Sequence, residues 1–212
     1  MLLHVKKLEY YHSHEFDGFY AIYSTAFPVS EQKSSETLHE MLKSENYTIY
    51  LAHIDEKIIG FSILYHPQDE DFYLLEYMAI SNLQRGGGWG TMLLQKSIDD
   101  LFKTHGTKAL IIEIDSPEKP SDEQEIREKR EQFYRRFGAK KIDPFDYILP
   151  LQTHETPPPM ELLVYHPSLQ TLSKELLQHW LEKLYTNVYG CDKHDARIAF
   201  MLEHTPPILN LI

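Results

Sequence analysis

The segment from Glu76 to Gln95, EYMAISNLQRGGGWGTMLLQ, constrains this chain more than any other. Four of its nine glycines fall at positions 86, 87, 88 and 90. They separate an apolar, strand-like run from an amphipathic, helix-like run. Glycine inside a regular element costs about 0.5–1 kcal/mol relative to alanine, so such a cluster marks a place where backbone must approach something closely. A glycine-rich turn feeding a helix N-terminus gathers unpaired N–H groups at the positive end of the helix dipole. That combination is an anion site, well suited to a phosphate.

The flanking pattern gives the setting. A short first strand, Leu2–Lys7, precedes EFDGFYAIYSTAF, in which Phe16, Phe19, Tyr20, Tyr23 and Phe27 recur at helical spacing until Pro28 ends the run. SSETLHEMLKS predicts a second short helix carrying Leu38, Met41 and Leu42. YTIYLAHI and IIGFSILY alternate about a DEK turn and predict a hairpin, with DFYLLEYMAI as a third strand of an antiparallel meander over residues 47–80. Beyond the glycines, Leu94, Ile98, Leu101 and Phe102 form a helix face that Gly106 closes. KALIIEID is a buried strand, and SDEQEIREKREQFYRRFGA a charged helix with Ser121 as N-cap and Gly138 as its stop. KKIDPFDYILPLQ and MELLVYH pair as late strands joined by a proline-rich loop. The tail reads as helical, with Leu172, Leu176, Leu177, Trp180, Leu181 and Leu184 on one side, packing on the sheet or on a second copy in a homodimer. The order predicts an α/β or α+β domain over residues 1–166 and a helical C-terminal extension over 167–212.

Three phosphate-binding loops compete for the glycines. A P-loop needs G-x-x-x-x-G-K-[ST], and no Lys-Ser or Lys-Thr pair follows them. A dinucleotide loop needs G-x-G-x-x-G; Gly86 and Gly88 supply the first half, but position 91 is Thr, and a meander precedes the loop instead of the first strand of a βαβ unit. The third is R-x-x-G-x-G, matched by Arg85, Gly88 and Gly90 with Gln84 just before. Here the stretch Leu75–Leu94 resembles motif A of the GNAT superfamily of acyl-CoA N-acyltransferases. Downstream, EQFYRRFGAKKI resembles that family's motif B, and the order of elements fits along residues 1–166. Two features depart from the usual pattern. Gly86 and Gly87 loosen the loop, and Trp89 is bulkier than the customary aliphatic residue and is expected to pack into the core.

The resemblance implies a mixed, mostly antiparallel twisted sheet whose central strands, Leu74–Ile80 and Lys108–Asp115, run parallel and splay apart. It implies acetyl-CoA as co-substrate, its pyrophosphate held by the loop from Gln84 and Arg85 through Gly86, Gly87, Gly88, Trp89 and Gly90 to Thr91. Backbone amides of Met78, Ala79 and Ile80 would hold the pantetheine and polarise the carbonyl. Tyr134, at the F-Y step, is the expected general acid toward the departing thiolate, and Arg130, one turn earlier, an expected CoA contact. Glu76 is the first candidate base. Alternation puts it on one face with Leu74 and Met78, and a carboxylate in so apolar a strand is costly unless paired or working. Glu113, in LIIEID, is the second candidate. A structural ion pair is the alternative for both. The aromatic residues of the first helix would line the acceptor side, or simply pack the core.

Composition narrows the partners. A net charge of −11 with no basic stripe argues against nucleic acid. No run approaches 18 apolar residues, so no membrane-spanning helix is expected, and the N-terminus lacks a signal-peptide pattern. The single cysteine, Cys191, fits a reducing, cytoplasmic setting. The histidines are dispersed and give no metal-ligand spacing, so no metal is expected. With these partners set aside, the resemblance implies an acetyl-CoA-dependent N-acetyltransferase acting on a primary amine of a small molecule. A protein lysine or N-terminus is the alternative acceptor. A CoA-binding sensor without turnover, or an enzyme of ATP or NAD, is the alternative class.

Overall fold

The computed structural model describes residues 2–118, 120–150 and 159–212. The chain forms two compact units, Met1–Ala109 and Leu110–Ile212. The class is mixed α/β with mostly antiparallel strand pairing, as expected. No helix of the described residues is long and apolar enough to cross a membrane.

The first unit runs β1 (Leu3–Lys7), α1 (His14–Ala26), α2 (Ser35–Lys43), β2 (Tyr47–Ile54), β3 (Lys57–Tyr65), β4 (Phe72–Ile80) and α3 (Trp89–His105). Its strands follow one another in sequence order as an antiparallel meander, β1-β2-β3-β4. The two short helices begin where their caps dictate. Ser13 Oγ accepts from Phe16 N at 3.1 Å and Ser34 Oγ from Thr37 N at 3.2 Å, each such cap contributing about 1 kcal/mol. α1 and α2 cover one sheet face, where Phe16, Phe19, Tyr23, Leu38 and Met41 meet Ile49, Leu51, Phe61, Ile63 and Ala79. α3 covers the other face through Leu93, Leu94, Ile98 and Leu101. On that face Ser62 and Ser97 form a buried hydroxyl pair at 2.9 Å, so neither is left unsatisfied.

The β3–β4 register carries a bulge. Ile63 stands opposite Tyr77, but Leu64 stands opposite Leu75, so Glu76 is the extra residue on β4. The bulge breaks the alternation expected from sequence. Met78 stands opposite Ser62 and therefore faces α3, whereas Glu76 and Tyr77 both face the α1–α2 side.

The second unit contains β5 (Ala109–Asp115), α4 (Gln124–Phe137), β6 (Lys140–Asp143), β7 (Met160–Tyr165), β8 (Thr171–Ser173), α5 (Lys174–Asn187), α6 (Ala196–Leu202) and β9 (Ile208–Leu211). Its strands lie in the order β5-β7-β6-β9-β8 with antiparallel pairing. Two local expectations change. α4 starts after Glu123, not Ser121, because Ser121 Oγ accepts from Glu123 N at 3.2 Å in a turn ahead of the helix. The tail is not purely helical. Leu172 belongs to β8, and β9 adds to the edge of β6 through Ile142↔Leu211 and Asp143↔Asn210. The expected strand end at Leu151–Gln152 and most of the proline-rich loop lie outside the described residues.

Gly60 measures how tightly β3 and β4 meet. A Cβ there would lie 2.6 Å from Ala79 O, a backbone atom that cannot step aside alone. Gly60→Ala is therefore expected to lower unfolding free energy by about 1–3 kcal/mol, read as a lower urea midpoint with unchanged slope.

Candidate functional site

The glycine loop grows out of β4. After Ile80 the chain makes one 3-10 turn over Asn82–Gln84 and enters Arg85, whose Nε lies 3.5 Å from Ile80 O. Gly88 caps α3 in the left-handed region at φ 75°, a conformation that favours glycine. Having no side chain, it gives the helix no side-chain cap, and no acidic residue stands in the first turn. The leading N–H groups of α3 are thus left with the positive end of the helix dipole and no side-chain acceptor from the cap. A Cβ on Gly86 or Gly88 would meet nothing within 4 Å, so the loop has open space above it. These features fit a pyrophosphate. Trp89 does not join the core as expected. It is half-buried, and its indole folds over Gly87, where a Cβ would lie 2.4 Å from Nε1.

The amides of β4 divide by edge. Ser81 N donates to Ile59 O at 2.8 Å, and alternation from that bond turns the Ala79 N–H toward β3 as well. The N–H groups of Met78 and Ile80 point to the opposite edge. Of the three expected amides, Ala79's is committed to the sheet.

Glu76 is the buried charge of the first unit. Its side chain is 6% exposed, and Lys33 Nζ, 23% exposed, pairs with Oε1 at 2.8 Å. Oε2 has no hydrogen-bond partner among the described residues. Burial raises the Glu76 pKa, and the Lys33 charge opposes that rise. The Tyr47 phenol lies beside the carboxylate, its pKa pushed up first by burial and then by the Glu76 charge. Four hydrogen bonds fix the connection from α1 to α2 that carries Lys33. Tyr77 OH donates to Glu31 O at 2.7 Å, Gln32 Nε2 donates to Phe27 O at 2.7 Å and Ser24 O at 3.0 Å, and Lys33 N donates to Tyr23 OH at 2.7 Å.

Lys33 was not visible as a site residue from sequence spacing, since it lies in a connection without periodicity. One signal marks it: it is the only Lys or Arg between Lys7 and Lys43, in an aromatic and acidic stretch.

The remaining candidates lie in the second unit. Tyr134 on α4 is 9% exposed and makes no side-chain hydrogen bond among the described residues. Burial pushes its pKa up to about 12, against the pull of Arg130, so the phenol stays protonated at neutral pH. Arg130 itself pairs with Asp115 Oδ2 at 2.7 Å and ties α4 to the end of β5. Glu113 has both oxygens engaged: Tyr147 OH donates to Oε1 and Tyr189 OH to Oε2. The Tyr147 pKa is held well above the ordinary phenol value, first by burial and then by the Glu113 charge. Hydrogen bonds to both oxygens favour the charged form of a carboxylate and so work against its taking up a proton. We therefore assign Glu113 to joining β5 with the segment after β6 and with the tail, and not to proton abstraction.

Comparison with known proteins bears on this geometry. Residues 16–139 match the family model described as the acetyltransferase (GNAT) family. The Bacillus subtilis (strain 168) protein named "Putative acetyltransferase YjbC" is 31% identical over 92% of this chain and 93% of its own. Among solved structures, a GNAT-family protein from Bacteroides thetaiotaomicron aligns with TM-score 0.70 and 22% identity, over 89% of this chain and 99% of its own. A GNAT family acetyltransferase from Elizabethkingia anophelis, solved with acetyl-CoA bound, aligns with TM-score 0.52 and 16% identity, over 77% and 97%.

Removing the Glu113 carboxylate strands the hydroxyl of buried Tyr147. Glu113→Ala is expected to cost about 1–3 kcal/mol of unfolding free energy for that unsatisfied group. Tyr147→Phe/Glu113→Leu, which removes one donor with the acceptor, should recover part of that loss in urea denaturation.

Proposed function

This chain belongs to the GNAT acetyltransferase family, and from that premise we propose that it transfers the acetyl group of acetyl-CoA directly to a primary amine of a small molecule. Acetyl-CoA supplies the activated acetyl thioester. The observation that carries the reading is the R-x-x-G-x-G loop. Within it a left-handed Gly88 caps α3 with no side chain, beneath open space. The first-turn amides of α3, with Gly88, Trp89, Gly90 and Thr91 around them, would hold the pyrophosphate. Met78 and Ile80 offer the outward N–H groups that would orient the pantetheine and polarise the carbonyl.

The acceptor's ammonium must lose two protons on its way to the amide, one before attack and one, to solvent, as the C–N bond forms and the C–S bond breaks. The departing sulfur must gain one. Glu76 takes a proton from the acceptor's ammonium and leaves a neutral nitrogen to attack. Its burial supports this role, because a raised pKa brings a carboxylate toward working pH. Tyr134 gives a proton to the departing sulfur, a role that rests on its place in the F-Y motif and on a phenol kept protonated by burial. Arg130 is left out of the machinery, since Asp115 already holds it. A base as deep as Glu76 favours an acceptor that enters whole, which supports a small molecule over a folded protein. A free Cys191 accords with a cytoplasmic setting.

Two outcomes are expected. Thr91→Asp adds a negative charge to the first turn of α3. It should stabilise the free protein by about 0.3–1 kcal/mol through the helix dipole, yet weaken acetyl-CoA binding about tenfold or more, the opposite sign, read by calorimetric titration with ATP and NADH as controls. In steady-state assays against a panel of amines, Glu76→Gln should lower kcat/KM by about 10²–10⁴-fold, and Tyr134→Phe should lower kcat while leaving acetyl-CoA affinity near wild type. Because the Glu76 pKa is raised, activity should fall as pH drops through that raised value. Full activity in both variants would remove these residues from the reaction, and absence of turnover with tight acetyl-CoA binding would favour a sensor.

A further inference from the structure

We propose that Lys33 is a positioning residue, held at backbone and tip so that its ammonium keeps Glu76 an ionised carboxylate with the second oxygen left for the acceptor's proton. The inference rests on the reading of Glu76 as the base. It concerns how a buried carboxylate can be a base at all.

The geometry is unlike that of an ordinary ion pair. A surface lysine spends most of its time in water, and its pairing contributes little. Lys33 is less than one-quarter exposed, and its carboxylate partner is almost wholly buried. The backbone that carries it is fixed over three successive residues. Glu31 is held through its carbonyl by Tyr77, Gln32 through its amide side chain by the end of α1, and Lys33 through its N–H by Tyr23. The loop thus has little freedom to swing the ammonium away, and less conformational entropy is lost in placing it.

The contact is also asymmetric. Lys33 engages Oε1 alone, and Oε2 is buried with no partner among the described residues. An unpartnered carboxylate oxygen in such a place is costly, and an acceptor N–H would satisfy it. The other titratable groups of the first unit facing Glu76 are Tyr47 from β2, Tyr77 from β4 and Tyr23 from α1. The pKa of each is raised chiefly by burial, so all three stay neutral at working pH. Lys33 is then the cation that opposes the desolvation of Glu76. Taking it away leaves the same burial with no cation, and only the weaker pull of the Tyr47 hydroxyl, to favour the charged form.

The sign follows directly. Glu76 works when deprotonated, so kcat/KM has an acid limb set by its pKa. Without the Lys33 charge that limb moves to higher pH. The test is the pH profile of kcat/KM for wild type, Lys33→Met, Lys33→Gln and Lys33→Arg. It is accompanied by ¹³C NMR titration of the glutamate side-chain carboxyls, with the Glu76 resonance assigned by its loss in Glu76→Gln. The expected result is an acid limb displaced upward by about one pH unit or more in the Met and Gln variants, which is tenfold or more in kcat/KM below the limb. Activity should recover as pH rises, and the Arg variant should return the limb toward wild type. The Glu76 resonance should titrate at correspondingly higher pH.

A purely structural role would lower activity by the same factor at every pH, and that result, or an unmoved carboxyl titration, overturns the proposal. If one neutral variant does not fold, the other carries the comparison. If wild type turns over no amine, the acetyltransfer reading of Glu76 fails by itself. The NMR titration then decides whether Lys33 holds the carboxylate charged.

Discussion

The bulge at Glu76 is the constraint on which the candidate site depends. In a regular strand, successive side chains take opposite faces, and a carboxylate two residues from Met78 would share its side of the sheet. The extra residue on β4 shifts that phase. Glu76 and Tyr77 turn together toward the α1–α2 side, and Met78 turns to α3. One displaced residue thus lets a single strand serve two purposes. Below the bulge it packs regularly against β3. At the bulge it presents a carboxylate to Lys33 and a phenol to the carbonyl of Glu31. The aromatic layer of α1 then has a dual role. Phe19 and Tyr23 pack against Phe61 in the core, and the hydroxyl of Tyr23 fixes the backbone of the lysine that meets Glu76.

The glycine loop works by omission. Most helices gain from a side-chain cap; α1, α2 and α5 each have a serine in that position. α3 gives up that contribution, about 1 kcal/mol, and leaves its N-terminal amides without a side-chain acceptor. It can do so because its other contacts are strong. Leu93, Leu94, Ile98 and Leu101 are buried, Ser97 is paired with Ser62, and Gly106 ends the helix in a conformation with positive φ. Stability is placed along the body of the helix, and its N-terminal end is left without a side-chain cap.

This division also explains what could be read in the sequence. The meander, α1, α2 and α3 were legible because each follows a period of two or 3.6 over enough residues to show it, and because Pro28, Gly106 and Gly138 punctuate them. The glycine loop was legible because the spacing of Arg85, Gly88 and Gly90 is local. The bulge was not. Alternation assumes regular pairing, and nothing in LLEYMAI marks the residue at which pairing slips. Lys33 was missed for a related reason: its partner is distant in sequence and its own segment has no period. The strands of the tail escaped because Thr171–Ser173 and Ile208–Leu211 are too short to display alternation, and Leu172 fell in phase with the helix that follows. Trp89 was assigned to the core by size, but a tryptophan beside glycines can cover backbone instead.

The contrast between Glu76 and Glu113 shows why burial alone does not identify a working carboxylate. Both sit within apolar strands, and in sequence only the resemblance sets Glu76 ahead of Glu113. Glu113 receives two hydroxyl donors, one on each oxygen, from segments that must be joined. Each oxygen is engaged by a neutral phenol. Glu76 receives one cation on one oxygen. Coulombic attraction favours its charged form without occupying the second oxygen, and the desolvation that raises its pKa remains. A carboxylate in that condition keeps one oxygen unpartnered, whereas the other is hydrogen-bonded on both. What separates the two is the identity and number of donors that long-range contacts bring. In Glu76 the decisive donor is a lysine whose segment is held by four hydrogen bonds to α1, its C-terminal end and β4.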